Sequence, residues 1–118
     1  ISAVQSTPEL QAIIFERPFV CEVAEQFVTQ ANLKNRIQIK NGNMWTDPFP
    51  SADVHFYCDI FHDWPLEKCL FLAKKSFESL PVHGKILIHE LLFNDCKTGP
   101  LSTASYNIIM LLWTQGQQ

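Results

Sequence analysis

Short apolar runs that close on a polar residue alternate along this chain with longer stretches whose apolar residues return every three or four positions. Few folds accept that alternation. Residues 1–6 read as the tail of a helix, closed by Thr7-Pro8. Gln11 to Glu16 (QAIIFE) is apolar and ends in an acid, as a buried strand does. Pro18 suits the first turn of a helix, where its missing N–H costs nothing. Phe19, Val20, Val23, Ala24, Phe27, Val28 and Ala31 then recur at helical spacing. Asn35 to Lys40 alternates, with Ile37 and Ile39 on one face, and stops at the turn Asn41-Gly42-Asn43. Val54 to Ile60 is a third strand. Trp64-Pro65 opens a helix with Leu66, Cys69, Leu70, Ala73 and Phe77 on its inner side. Gly84 and Lys85 lead into the strand Ile86-Leu87-Ile88, which runs on to Glu90. After a loop through Asn94 and Gly99-Pro100, a last helix carries Ile108, Met110, Leu111 and Leu112.

The order α-β-α-β-β-α-β-α predicts an α/β fold, a mainly parallel sheet with helices on both faces, forming one domain over residues 1–118. The formal net charge of −3, with no basic run, argues against nucleic acid as a ligand, because phosphate binding needs concentrated positive charge. Cys21, Cys58, Cys69 and Cys96 lie far apart with no C-x-x-C pair, so the spacing predicts reduced thiols in a cytoplasmic protein and no metal site. No apolar stretch is long enough to cross a bilayer, so no membrane partner is expected. The chain opens at Ile1 without methionine and stops at Gln118 after an apolar helix, which reads as truncation at both ends.

Open α/β sheets bind ligands beyond the carboxyl ends of their strands. Those ends carry Glu16, Asn43, His62-Asp63 and Glu90. Glu16 fits an acid that accepts hydrogen bonds from a ribose, or equally a solvated charge paired with Arg17. A histidine with an unperturbed pKa of ~6.5 is the usual general base near neutral pH, which makes His62 a candidate. A surface loop in which Asp63 caps the next helix accounts for the same residues. Glu90 is costly to bury unless paired. His55, His83 and His89 have no comparable setting, and alternation sends His89 and Glu90 to opposite faces.

Ile60-Phe61-His62-Asp63-Trp64 resembles the "LHDW" signature of the large O-methyltransferase family that includes plant phenolic, acetylserotonin and bacterial antibiotic enzymes. Other segments agree in register over nearly the whole chain. Phe15-Glu16-Arg17-Pro18 is similar to the family's F-D-L-P, Asn41-Gly42-Asn43-Met44-Trp45 to its G-D-M-F, and Ser51-Ala52-Asp53 to its P-x-A-D. Pro81 to Leu91 (PVHGKILIHEL) resembles P-x-G-G-K-x-x-I-x-E, and Met110-Leu111 its M-L, with Gly116 able to supply the loop glycine that follows.

The resemblance implies a Rossmann-like fold and methyl transfer from S-adenosylmethionine to a hydroxyl of a small, aromatic or polyketide-like molecule, leaving S-adenosylhomocysteine. By the same resemblance His62 takes the hydroxyl proton, Glu90 holds its imidazole, and no metal is needed. Glu16 would hold the ribose hydroxyls, Asn43 and Met44 would bracket the adenine, and Cys58 stands where a cofactor-contacting lysine is usual. Trp64, Asn107 and Met110 would line the substrate side. Glu16 and Asn43 replace the family's usual aspartates, and an amide still accepts a hydrogen bond without charge assistance. The glycine-rich loop, an N-terminal dimerisation segment, a second supporting carboxylate and the last strands would lie outside this sequence. The complete protein would then be a homodimer, and the chain alone would bind cofactor poorly.

Two other readings compete. A methyltransferase-like remnant could serve as an interaction module through open sheet edges and apolar helix faces. A nicotinamide-dependent oxidoreductase would need an upstream G-x-G-x-x-G loop, and His62, Glu90 and Asn43-Met44 argue against it.

Overall fold

A parallel strand pair cannot be joined by a tight hairpin; it needs a crossover long enough to bring the chain back. This chain makes that connection twice, each time with a helix. The computed structural model describes residues 1–115 and forms two compact units, Ile1–Pro50 and Ser51–Gln118, so Gly116 lies outside the described residues.

In the first unit, α1 (Ser2–Ser6) precedes β1 (Ala12–Glu16), α2 (Pro18–Gln30) and β2 (Ile37–Asn41). β1 and β2 pair in parallel from Ala12 opposite Ile37 to Glu16 opposite Asn41. Pro18 stands at the first helical position of α2, as its locked φ favours. Val4, Val28, Leu33 and Ile37 make the core, with half-buried Ala12, Ile14, Ala31 and Ile39 packed against them. The Arg36 guanidinium Nη2 donates to the carbonyls of Thr7 at 2.5 Å and Leu10 at 2.8 Å, tying the β1 approach to the end of the crossover. Gly42 follows β2 where a side chain has no room: a Cβ there would lie 2.1 Å from Phe15 Cε2. The absence of a side chain lets the turn pass against that ring and places Asn43 and Met44 just beyond the strand.

The second unit repeats the plan with β3 (Val54–Cys58), a 3₁₀ turn (Phe61–Asp63), α3 (Leu66–Ser79), β4 (Lys85–His89) and α4 (Leu101–Trp113). β3 and β4 are parallel, from Val54 opposite Lys85 to Cys58 opposite His89. β3 stops two residues short of the expected Ile60. Asp59 has φ 54°, and one residue in the left-handed region cannot continue an extended strand. The turn that follows has no periodic apolar signal, so it was not legible beforehand.

The α2 and α3 helices bury only part of the expected stripe, with Val28 of α2 inside as expected. In α2 the buried residues are Cys21 and Val28, while Phe19 is 76% exposed. In α3 they are Leu72 and Ser76, while Leu66, Leu70 and Phe77 face outward. Positions 69, 72, 73, 76 and 80 share one face at helical spacing, and 66, 70 and 77 form an adjacent apolar stripe. Two neighbouring stripes cannot be ranked by hydrophobicity, and the one holding a serine is inside. The serine is buried because it is bonded: its Oγ lies 3.0 Å from His55 Nδ1 and 2.6 Å from the Tyr57 hydroxyl. His55 and Tyr57, two residues apart on β3, share that face.

Ser76→Ala therefore removes the hydroxyl that both groups use. The expected loss is about 1–3 kcal/mol, the cost of stripping a partner from a buried polar group. It should appear as a lower urea midpoint with an unchanged slope.

All four cysteines are free thiols. Among the described residues no helix is long and apolar enough to cross a membrane.

Candidate active site

His62 and Glu90 are 28 residues apart in sequence and meet at the carboxyl end of the β3–β4 pair. β4 delivers Glu90 one residue past its last paired position, and the 3₁₀ turn after β3 folds His62 inward until it is 4% exposed. Glu90 Oε2 lies 2.5 Å from His62 Nδ1. Glu90 Oε1 accepts the backbone N–H groups of Ile60 at 2.9 Å and Phe61 at 2.8 Å. Both side chains are 3% exposed.

A carboxylate can only accept, so the proton between the two groups belongs to Nδ1, and Nε2 points away from Glu90. Buried carboxylates are costly without partners, and the two backbone donors and the imidazole together satisfy this one. Around Nε2 stand the Tyr106 hydroxyl at 3.4 Å and Asp63 Oδ1 at 3.3 Å. The Tyr106 ring meets the imidazole edge-on, with centroids 5.3 Å apart.

The competing reading, a surface loop in which Asp63 caps the following helix, is not what the structure shows. α3 begins at Leu66 after Pro65 with no side-chain cap, and the Asp63 carboxylate turns to His62 instead. The remaining expected residues of this unit are spread around the pair. Trp64 is half-buried, with Lys68 Nζ 4.4 Å from its ring centroid. Met110 is buried in α4, and Asn107, one turn earlier, is half-buried. Cys58 ends β3 in an exposed position, its Sγ 3.4 Å from His89 Nδ1. Tyr106 and Asp59 escaped the sequence reading. Tyr106 sits in an apolar helix where a tyrosine is unremarkable, and Asp59 follows a strand end where acids are common.

Burial, followed by the carboxylates of Asp59, Asp63 and Glu90, pushes the Tyr106 phenol above its ordinary range. Burial also raises Tyr57, with the Ser76 hydrogen bond pulling the other way. These are the only two tyrosines in the chain. A folded pKa above the unfolded value contributes stability that is intact below the unfolded value of ~10 and is lost as pH rises through the folded one. An alkaline absorbance titration should therefore show both phenols ionising later than free tyrosine, with stability falling above pH ~10. A phenol titrating at the free value in the folded chain would contradict that environment.

In the first unit, Glu16 ends β1 half-buried, and its Oε2 accepts the Arg17 backbone N–H at 3.1 Å. That contact is to the backbone amide, where a guanidinium pair had been the competing expectation. Asn43 forms a turn: its Oδ1 accepts the Trp45 N–H at 3.0 Å, and its own N–H donates to Asp47 Oδ2 at 2.9 Å. One lone pair of that amide oxygen is thus committed and one remains. Met44 beside it is half-buried. A carboxylate at one strand tip and an amide and thioether after the neighbouring strand are a donor set that suits a nucleoside: acceptors for a diol and for a ring amine, with an apolar group for the base.

A family model described as the O-methyltransferase domain matches residues 2–118. Acetylserotonin O-methyltransferase from Bos taurus is 31% identical over 117 residues, 99% of this chain and 34% of its own length. Among solved structures, an O-methyltransferase family 2 protein from Planctomyces limnophilus in complex with apigenin superposes with a TM-score of 0.93 at 36% identity. The match covers 98% of this chain and 35% of that one. Human N-acetylserotonin methyltransferase in complex with S-adenosylmethionine gives 0.89 at 30% identity, covering 98% and 32%. The chain thus spans about a third of the length of the curated relatives it matches.

Proposed function

The chain belongs to the O-methyltransferase domain family, and from that premise we propose that the protein carrying it transfers a methyl group from S-adenosylmethionine to a hydroxyl of a small aromatic or polyketide-like molecule, with His62 as general base. The observation that carries this reading is the buried His62–Glu90 pair, with Nε2 turned away from the carboxylate.

S-adenosylmethionine supplies a methyl group already activated on a sulfonium, so the protein is left with alignment and one proton. His62 Nε2 accepts the proton of the acceptor hydroxyl as its oxygen becomes nucleophilic. Glu90 keeps Nδ1 protonated and stabilises the imidazolium that results, at a contact of 2.5 Å. Asp63, 3.3 Å from Nε2, adds a second negative charge beside the proton being taken up. Trp64, Asn107 and Met110 are assigned to the acceptor's surroundings. In the first unit Glu16 is assigned to the ribose hydroxyls and Asn43 with Met44 to the adenine. Cys58 stands where a lysine would touch the cofactor, and a thiol replaces that charge with a weak donor.

The test is the complete protein incubated with methyl-labelled S-adenosylmethionine and a panel of phenols, with matched anilines as controls. Label should appear on oxygen, in step with S-adenosylhomocysteine release. A protein that binds the cofactor yet labels no hydroxyl, or only nitrogen, defeats the proposal.

A further inference from the structure

Cys58, Asp59 and His89 form a second cluster in the same unit, separate from the His62–Glu90 pair. Spacing in the sequence gives no hint of it, because Cys58 and His89 are 31 residues apart. The parallel register makes them direct partners on neighbouring strands, and partners in register project to the same face of a sheet. Asp59 joins them through its backbone: with φ 54° its side chain folds back until Oδ2 lies 3.5 Å from Cys58 Sγ.

We infer that Cys58 Sγ, His89 Nδ1 and an Asp59 carboxylate oxygen bind a zinc-class divalent cation. The three ligand atoms all lie within 4.8 Å of one another, and all three residues are exposed, which leaves the fourth position to water. The spacing fits. With Zn–S near ~2.3 Å and Zn–N or Zn–O near ~2.0–2.1 Å, tetrahedral geometry puts sulfur about 3.5 Å from its neighbours. The observed distances from Sγ are 3.4 Å to His89 Nδ1 and 3.5 Å to Asp59 Oδ2. Both separations from sulfur thus match the bound geometry, and the imidazole and carboxylate lie within 4.8 Å of each other. On binding, the cation replaces the thiol proton, which leaves to solvent.

One thiolate, one imidazole and one carboxylate select zinc over magnesium or calcium, which favour all-oxygen shells. Asp59 also lies within reach of His62 and Glu90. Those two are already bonded to each other at 2.5 Å, so the exposed triad is the favoured seat. Zinc binding needs none of the methyl-transfer steps and can be tested with the chain alone. Cys58 is also the position assigned to the cofactor's surroundings, so the two ligands would compete for it.

The experiment titrates the reduced 118-residue chain with Zn²⁺ by calorimetry and with Co²⁺ by absorption, alongside Cys58→Ser, His89→Ala and Asp59→Asn. Cys96→Ser, an exposed thiol elsewhere, serves as control. One equivalent of zinc should bind, and cobalt should develop a thiolate charge-transfer band. Cys58→Ser should abolish that band. Cys58→Ser and His89→Ala should each weaken zinc by more than the roughly ten- to a hundredfold typical of an outer-shell partner. Asp59→Asn should weaken zinc measurably, and Cys96→Ser and added Mg²⁺ should change nothing. Far-ultraviolet dichroism of each variant keeps loss of fold distinct from loss of a ligand. Failure to bind zinc, a band that survives Cys58→Ser, or one lost with Cys96→Ser would overturn the site.

Discussion

In the complete protein, His62→Ala is expected to lower methyl transfer by about a hundred- to ten-thousand-fold, the range that general-base assistance provides. Cofactor affinity should stay nearly unchanged. The expectation rests on position: Nε2 is the one ring nitrogen turned away from Glu90, and it lies beside Tyr106 and Asp63. Alanine also leaves Glu90 buried beside a void, so a loss of activity alone could reflect a disturbed fold. His62→Gln separates the two effects, because its amide can still donate to Glu90 while offering no basic nitrogen. Activity should collapse in both variants, and calorimetric cofactor affinity should persist in both. Near-normal turnover in His62→Gln, or a large loss of cofactor affinity in a folded variant, would remove His62 from the chemistry.

The second large effect is on stability. Glu90→Ala removes the acceptor for His62 Nδ1 and for the amides of Ile60 and Phe61. Breaking a buried pair by deleting one member costs roughly 3–5 kcal/mol, a large share of the ~5–15 kcal/mol that a domain usually has. Urea denaturation of the isolated chain measures it. Glu90→Gln is the informative companion. Its carbonyl oxygen can keep the two backbone amides, so its stability loss should be clearly smaller. Its NH₂ then faces Nδ1, which reverses the tautomer and puts a proton on Nε2. In the complete protein Glu90→Gln should therefore be folded and inactive. Equal stability losses for Ala and Gln would mean that the contacts of Oε1 contribute little.

The two outcomes bear on different features of one arrangement. Glu90 stabilises the turn that follows β3 and, through the same carboxylate, orients the imidazole. On the proposed mechanism fold and chemistry are coupled at this residue, and the activity and denaturation measurements must be read together.

Much of the fold was legible because its signals are local. Pro18 marked a helix start, QAIIFE and ILI marked strands, and Asn41-Gly42-Asn43 marked a turn, each through backbone or burial preferences of the residues themselves. The helix faces were less so. α3 carries two apolar stripes side by side, and the buried one contains Ser76, whose value appears only when His55 and Tyr57 arrive from β3. The choice between the two readings of Asp63 was open for a similar reason: a cap and a histidine neighbour look alike in sequence, and the path of the chain after Pro65 separates them.

The amino-acid order by itself determined the alternation of strands and helices, and with it an α/β fold whose polar residues collect at strand ends, because strand and helix periodicities are properties of a short window. Which of those residues touch was decided by tertiary structure alone. Strand register joins Cys58 to His89, the turn after Asp59 joins His62 to Glu90, and helix rotation brings Tyr106 to Nε2. Pairings of this kind depend on distances between segments far apart in the chain, which no local preference encodes.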